Sequence, residues 1–257
     1  MAFDLVDLVL YVLSGAGVGL LIGLTGVGGG SLMTPLLILM NVPYHIAIGT
    51  DLLYAAVTKA GGVVMHQKRG NINWSVVLTL LAGSIPSSIV TALLLKFLFP
   101  DASGYQHILT TALGFMLIFT AAVLLFKKKI QGYALEHQNV ESSLILKHRP
   151  LITFISGFAL GICVTLSSVG AGAFGTAILL ILYSRLPTLH IIGTDLAHAV
   201  PLTLVAGMGH FLFLGNVDFT LLTGLLIGSI PAVYLGTKLG SHLPERFMYN
   251  LLAMILL

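Results

Sequence analysis

Apolar runs of about 20 residues recur along the whole chain, each long enough at about 1.5 Å per residue to cross a hydrocarbon core of about 30 Å. Barrel strands would read instead as alternating segments about ten residues long. Composition agrees with helices in lipid: 57% of residues are hydrophobic and 8% charged, against about 25% charged in an ordinary globular domain. Mean hydropathy is +1.02. The expected fold class is therefore an all-α integral membrane protein.

Ten apolar segments can be marked, at 5–24, 31–40, 45–66, 74–98, 105–126, 151–166, 171–183, 190–211, 219–239 and 247–257. The segments at 31–40 and 171–183 are too short to span comfortably, and each follows a small-residue break, "GVGGGS" at 26–31 and "SVGAGA" at 168–173. The opening "MAFDLVDLVL" has no Lys or Arg ahead of its apolar stretch and reads as a retained first span rather than a signal peptide. The final segment ends abruptly. A net charge of +3, with the basic residues in short loops beside apolar segments, gives no reason to invoke nucleic acid. Cys163 is the single cysteine, so a disulfide framework and a cysteine-ligated metal are both excluded, and no cofactor is implied.

The chain repeats itself. "IGTDL" occurs at Ile48 and Ile192, "GSIP" at Gly83 and Gly228, and "HQKRGNINW" at His66 aligns with "HFLFLGNVDF" at His210 once a one-residue insertion is allowed. Three landmarks in register imply internal duplication. Lys68 and Arg69 mark one loop of the first half, whereas the matching loop of the second half has only Asp218. At the next turn the bias reverses, with Asp101 set against Lys238 and Arg246. The basic, polar linker is expected on the cytoplasmic side. The division expected is a first repeat at 1–128, a cytoplasmic linker at 129–149 and a second repeat at 150–257, with inverted topology and short helices after the glycine-rich breaks. Inverted repeats with helices broken at the midplane are typical of secondary transporters.

The polar residues inside these segments are the functional candidates. A helix restarting after a glycine break at membrane depth would offer free N–H groups to an anion, although glycine clusters also serve simply to pack helices. On the first reading Gly28, Gly29, Gly30 and Ser31 with Ser167, Ser168, Gly170 and Gly172 would hold an anionic head group, and Lys59, Thr50 and Thr194 would line the same space. Asp51 and Asp195 fit as first-turn acids or caps, yet a cap gains about 1 kcal/mol. A carboxylate at membrane depth costs about 2.5 to 3.5 kcal/mol. A further use is expected, either pairing or proton binding.

Lys59 lies about 12 Å along and about 80° around the helix from Asp51, so its partner must come from elsewhere, unless it snorkels to the membrane edge. The second half has Thr203 at the matching position. His198, three residues after Asp195, shares a helical face with it, which suits proton exchange or a structural pair. Pro201 is expected to interrupt that helix, and His66 and His210, at segment ends, read as interfacial.

Taken together, "GLTGVGGGSLMTPLLI", "GTDLLYAAVTKAGGVVMHQKRGNINW", "IGTDLAHAVPLTLVAGMGH" and "GNVD" resemble the TauE/SafE sulfite exporter family of bacterial membrane transporters over nearly the whole chain. The resemblance implies export or permeation of small sulfur-containing anions, such as sulfite, sulfoacetate or other sulfonates, across the bacterial inner membrane. Many members have Ser after "GT", so Asp51 and Asp195 mark a sub-branch and point to different ion coupling.

The expected function is a secondary transporter, not an enzyme, exporting a small sulfur-containing anion by alternating access with Asp51, Asp195 and His198 as proton-coupling candidates. A passive anion channel is the main rival, and an intramembrane aspartyl protease a remote one. The partners expected are the anion, protons and the bilayer, with the oligomeric state open and a homodimer one option.

Overall fold

The computed structural model describes residues 5–25, 30–99, 101–136 and 143–240. Among these, the elements in chain order are α1 (Leu5–Thr25), α2 (Gly30–Leu39), α3 (Tyr44–Lys68), α4 (Trp74–Leu98), α5 (Ala102–Glu136), α6 (Ser143–Ser167), α7 (Ala173–Leu182), α8 (Thr188–Gly209), a π turn (His210–Leu214) and α9 (Phe219–Gly240). Six stretches are long and apolar enough to cross a membrane, within α1, α4, α5, α6, α8 with its π turn, and α9. The two short segments form α2 and α7, ten residues each, or about 15 Å. Large apolar side chains such as Leu13, Leu78, Phe97, Phe115, Ile118 and Tyr234 face outward, as they do where lipid is the solvent.

The ends of the helices are written locally. Pro43 and Pro187 stand just before α3 and α8 in extended backbone, with φ of −55° and −56° and ψ of 139° and 144°, where a missing N–H leaves no helical bond unmade. Asn73 Oδ1 accepts the Val76 amide at 3.3 Å to cap α4, and Asp218 Oδ1 accepts the amides of Thr220 and Leu221 at 2.8 and 3.0 Å to cap α9. Gly70 and Gly215 both turn the chain at φ +67°, the left-handed conformation that a helix C-terminus asks of glycine. The residue inserted in the second copy is absorbed by the π turn, where the Gly215 amide reaches back five residues to His210 O.

Proline does not do what the sequence suggested at position 201. α8 runs through Pro201 to Gly209, and Pro35, Pro86, Pro150 and Pro231 likewise lie inside helices. Packed neighbours in a membrane protein keep a helix going past a missing N–H. The helices also outrun the apolar segments at the linker, since α5 continues to Glu136 and α6 starts at Ser143.

Helix pairing exchanges the halves. α1 lies along α9, α6 lies along α4, and α3 lies along α8. Small residues make the first two contacts close. A Cβ on Gly15 or Gly228 would strike the carbonyls of Leu225 and Val12, and one on Gly83, Gly157 or Gly161 would strike those of Phe154, Leu80 and Ser84. Gly15-x-x-x-Gly19 and Gly157-x-x-x-Gly161 occupy the same place in the two halves, each set against the "GSIP" helix of the other half. The apolar core divides accordingly, one cluster on α1, α2, α3, α5 and α9, and a second on α3 to α8.

Gly157→Leu should force α6 off α4 and lower thermal stability of the detergent-purified protein by several degrees. Gly17→Ala, where nothing lies within 4 Å of the added carbon, should leave it unchanged. Equal unfolding temperatures for the two variants would refute this account of the packing.

Candidate functional site

α3 and α8 place the two "GTD" motifs in the protein interior. Asp51 is wholly buried and Asp195 nearly so. Each carboxylate is held by the threonine at the same position of its own half's short helix: Thr34 on α2 donates to Asp51 Oδ2, and Thr176 on α7 donates to Asp195 Oδ2 at 2.8 Å. Asp51 Oδ2 also accepts the Ser168 hydroxyl at 3.0 Å, which crosses from the second half. The other oxygen, Oδ1, has no hydrogen-bond partner in either aspartate among the described residues. The carboxylates are thus tied to separate helices rather than to each other.

Lys59 does not snorkel. It is 4% exposed, and its ammonium donates to Ala171 O at 2.6 Å, inside the break that precedes α7. Both Asp195 and Asp51 lie within its electrostatic reach. The break itself is sharply folded, with Ser168 at φ +58°, Gly170 at +114° and Gly172 at +144°. Gly170 and Gly172 meet this backbone demand more easily than any other residue. The Ser167 hydroxyl donates to Cys163 O at 2.7 Å and accepts the Val169 amide at 3.2 Å, which closes α6 and shapes the turn. Gly172, at the start of α7, gives no side-chain cap. Of the first-turn amides of α7, that of Gly175 donates to Gly170 O at 3.3 Å, and those of Ala173 and Phe174 have no backbone acceptor among the described residues, at the positive end of the helix dipole.

Around this centre the halves interlock in four matched hydrogen bonds. Thr50 Oγ1 accepts the Asp218 amide at 3.1 Å, and Thr194 Oγ1 accepts the Asn73 amide at 3.0 Å. Tyr54 donates to Ser229 Oγ at 2.8 Å, while at the matching position His198 Nε2 shares a hydrogen with Ser84 Oγ at 2.9 Å. Gly49 and Gly193 make the first pair of contacts fit, because a Cβ on either would strike the carbonyl of Asn216 or Asn71.

Asp51, Lys59, Ser168, Gly170 and Gly172 thus come together. Thr50 and Thr194 spend their hydroxyls on loop amides of the opposite half, and Ser167 spends its own on the turn. His198 bonds to Ser84, not to Asp195, and its Nδ1 is buried without a partner among the described residues. The expected pair on one helical face is not a hydrogen-bonded one. His210 is wholly buried, with Nε2 on Thr165 O at 2.8 Å, because the π turn folds the segment end inward, so the interfacial reading of it fails. Gly28 and Gly29 lie outside the described residues, as does the side chain of Ser31; Gly30 opens α2. Sequence reasoning overlooked Thr34, Thr176, Tyr54, Ser84 and Ser229. For Thr34 with Thr176 and Ser84 with Ser229 a signal was available, since these hydroxyls recur at the same place in both halves, whereas Tyr54 is matched by His198.

The family model described as "Sulfite exporter TauE/SafE" matches residues 11–257. A probable membrane transporter protein of Bacillus subtilis, YjnA, is 37% identical over 247 residues, covering 96% of this chain and 95% of its own. A second from that organism, YdhB, is 28% identical over 242 residues, covering 94% and 91%. A probable membrane transporter protein of Methanocaldococcus jannaschii is 25% identical over 262 residues, covering 96% and 91%. No solved structure matches. The family and these relatives are transporters, which removes the intramembrane protease as a reading.

Thr50→Val and Thr194→Val should each destabilise the protein by about 1 kcal/mol, because each leaves a partly buried loop amide unpaired. Equilibrium unfolding in micelles would measure this, and a loss at one site only would show that the two interlocks are not equivalent.

Proposed function

We propose that this chain, which belongs to the TauE/SafE sulfite exporter family of membrane transporters, moves a small sulfur oxyanion, sulfite or an organosulfonate, by proton-coupled alternating access. The observation that supports this best is the buried Lys59 ammonium held on the Ala171 carbonyl, beside the start of α7, where the amides of Ala173 and Phe174 have no backbone acceptor among the described residues. An oxyanion entering there would take the ammonium from a neutral carbonyl and gain backbone N–H donors from a helix terminus at the same time. Small size is favoured because the bare backbone at Gly172 can come close to the ligand, whereas Gly170 is already covered by Met116.

Alternating access needs two halves that can rock against one another. The exchanged pairing of α1 with α9 and α6 with α4, joined by matched hydrogen bonds, suits inverted repeats related by an axis in the membrane plane. On this reading the repeats occupy 1–128 and 150–257, the chain is a multi-pass protein of the bacterial inner membrane, and the linker at 129–149 is cytoplasmic. Protons enter because carboxylates beside an anion path must be neutralised or paired when the anion binds. A passive channel would use the same helix terminus without coupling.

Sulfite or sulfoacetate should raise the unfolding temperature of the purified protein more than a simple carboxylate does. Lys59→Met should weaken that binding at least about tenfold, or about 1.4 kcal/mol. In proteoliposomes, labelled substrate should show counterflow and should accumulate when a pH gradient is imposed. Uptake indifferent to the gradient, without counterflow, would leave the channel.

A further inference from the structure

Asp51, Lys59 and Asp195 are the buried Asp, Glu, Lys and Arg side chains among the described residues. Two carboxylates against one ammonium leave the interior one negative charge in excess. A site that is to accept an anion cannot keep that excess, so one carboxyl must hold a proton when it does. The scaffold is symmetric, but the surroundings of the two acids are not.

Among the described residues, Asp51 Oδ2 accepts two hydroxyls, from Thr34 and Ser168, whereas Asp195 Oδ2 accepts one, from Thr176. The difference arises in the sequence, for the residue that aligns with Ser168 in the first break is Gly26, with no side chain to offer. The unpartnered Asp195 Oδ1 lies against the bare Cα of Gly175, where a Cβ would collide with it. In the first half that position is Met33. Hydrogen bonds donated to a carboxylate favour its ionised form, and apolar contact disfavours it. The charged and titratable groups around Asp195 are Lys59 on α3, whose charge reaches it, His198 one turn along α8, and His66 near the end of α3, which lies against Gly193. The buried polar side chains of α4 and α6 are serines and threonines.

We infer that Asp195 is the carboxyl that takes up and releases the proton of this site, while Asp51 stays ionised as a latch joining α2, α3 and the second break. This deepens the anion-transport reading and rests on it. A proton from one aqueous face binds the Asp195 carboxylate and leaves to the other face, with no other bond made or broken. Asp51 keeps Ser168, and so the α7 break, in place through both states.

Infrared difference spectroscopy on the full chain without any anion tests this apart from transport. At neutral pH the solvent-exposed carboxylates are ionised, so a carboxylic-acid carbonyl band reports a buried acid. The band should vanish in Asp195→Asn and persist in the double variant Asp51→Asn, Lys59→Met, which keeps the excess of one negative charge. As variants that keep both acids, Thr176→Val should shift the band and Thr34→Val should leave it unmoved. A band that survives Asp195→Asn, or one that moves in Thr34→Val but not in Thr176→Val, would overturn the assignment. Because no anion is present, failure here is distinct from failure of substrate binding, which the thermal-shift panel reads.

Discussion

A membrane interior supplies no water to a polar group, so each buried hydroxyl, amide and carboxylate has to find its partner in the protein. In this chain the partners are found largely in the opposite half. Thr50 and Thr194 reach the loops that start α9 and α4, and Tyr54 and His198 reach the serines of the two "GSIP" helices. Neither half could meet those needs alone. The glycines of α1, α4, α6 and α9 then matter because they let the helices approach until such short side chains can touch.

The same requirement explains how the site is built on an interrupted helix. At the second break the chain leaves helical geometry at Ser168 and resumes it at Ala173, which frees a carbonyl at Ala171 and amides at the start of α7. In water those groups would be solvated. Here the carbonyl is met by Lys59, the turn by the Ser167 hydroxyl and the Gly175 amide by Gly170 O, while the amides of Ala173 and Phe174 keep no backbone acceptor among the described residues. An amine that would otherwise seek the membrane edge is kept inside by a backbone that needs it.

Much of the architecture was legible because duplication is a pattern of residue types at fixed offsets. The short segments, the matching landmarks and the one-residue insertion each correspond to something physical: α2 and α7, the interlocks, and the π turn. Partners across the halves were harder to read. Thr50 looked like a cavity hydroxyl and His198 like the neighbour of Asp195, because sequence spacing shows which residues share a helix face but not which helix lies opposite. Pro201 misled for a related reason, since its local effect on a helix is overruled by packing that sequence does not display.

Where the two halves agree, the shared residues tend to hold the structure: the glycine–threonine pairs, the loop asparagines and the "GSIP" serines. Where they differ, charge and proton chemistry become possible. Lys59 faces Thr203 across the repeat, Ser168 faces Gly26, and Met33 faces Gly175. Thr203 simply bonds back to Ala199 O on its own helix at 2.9 Å, so the second half has no ammonium to offer. A fully symmetric pair of halves would hold two equivalent acids with two equivalent bases, and nothing would distinguish one proton site from the other. Departure from symmetry at three positions gives one break a cation and one acid a second hydroxyl, and leaves the other acid with a single hydroxyl among the described residues. His198 belongs with the symmetric set, since Tyr54 makes the same helix tie with a phenol that does not titrate near neutrality.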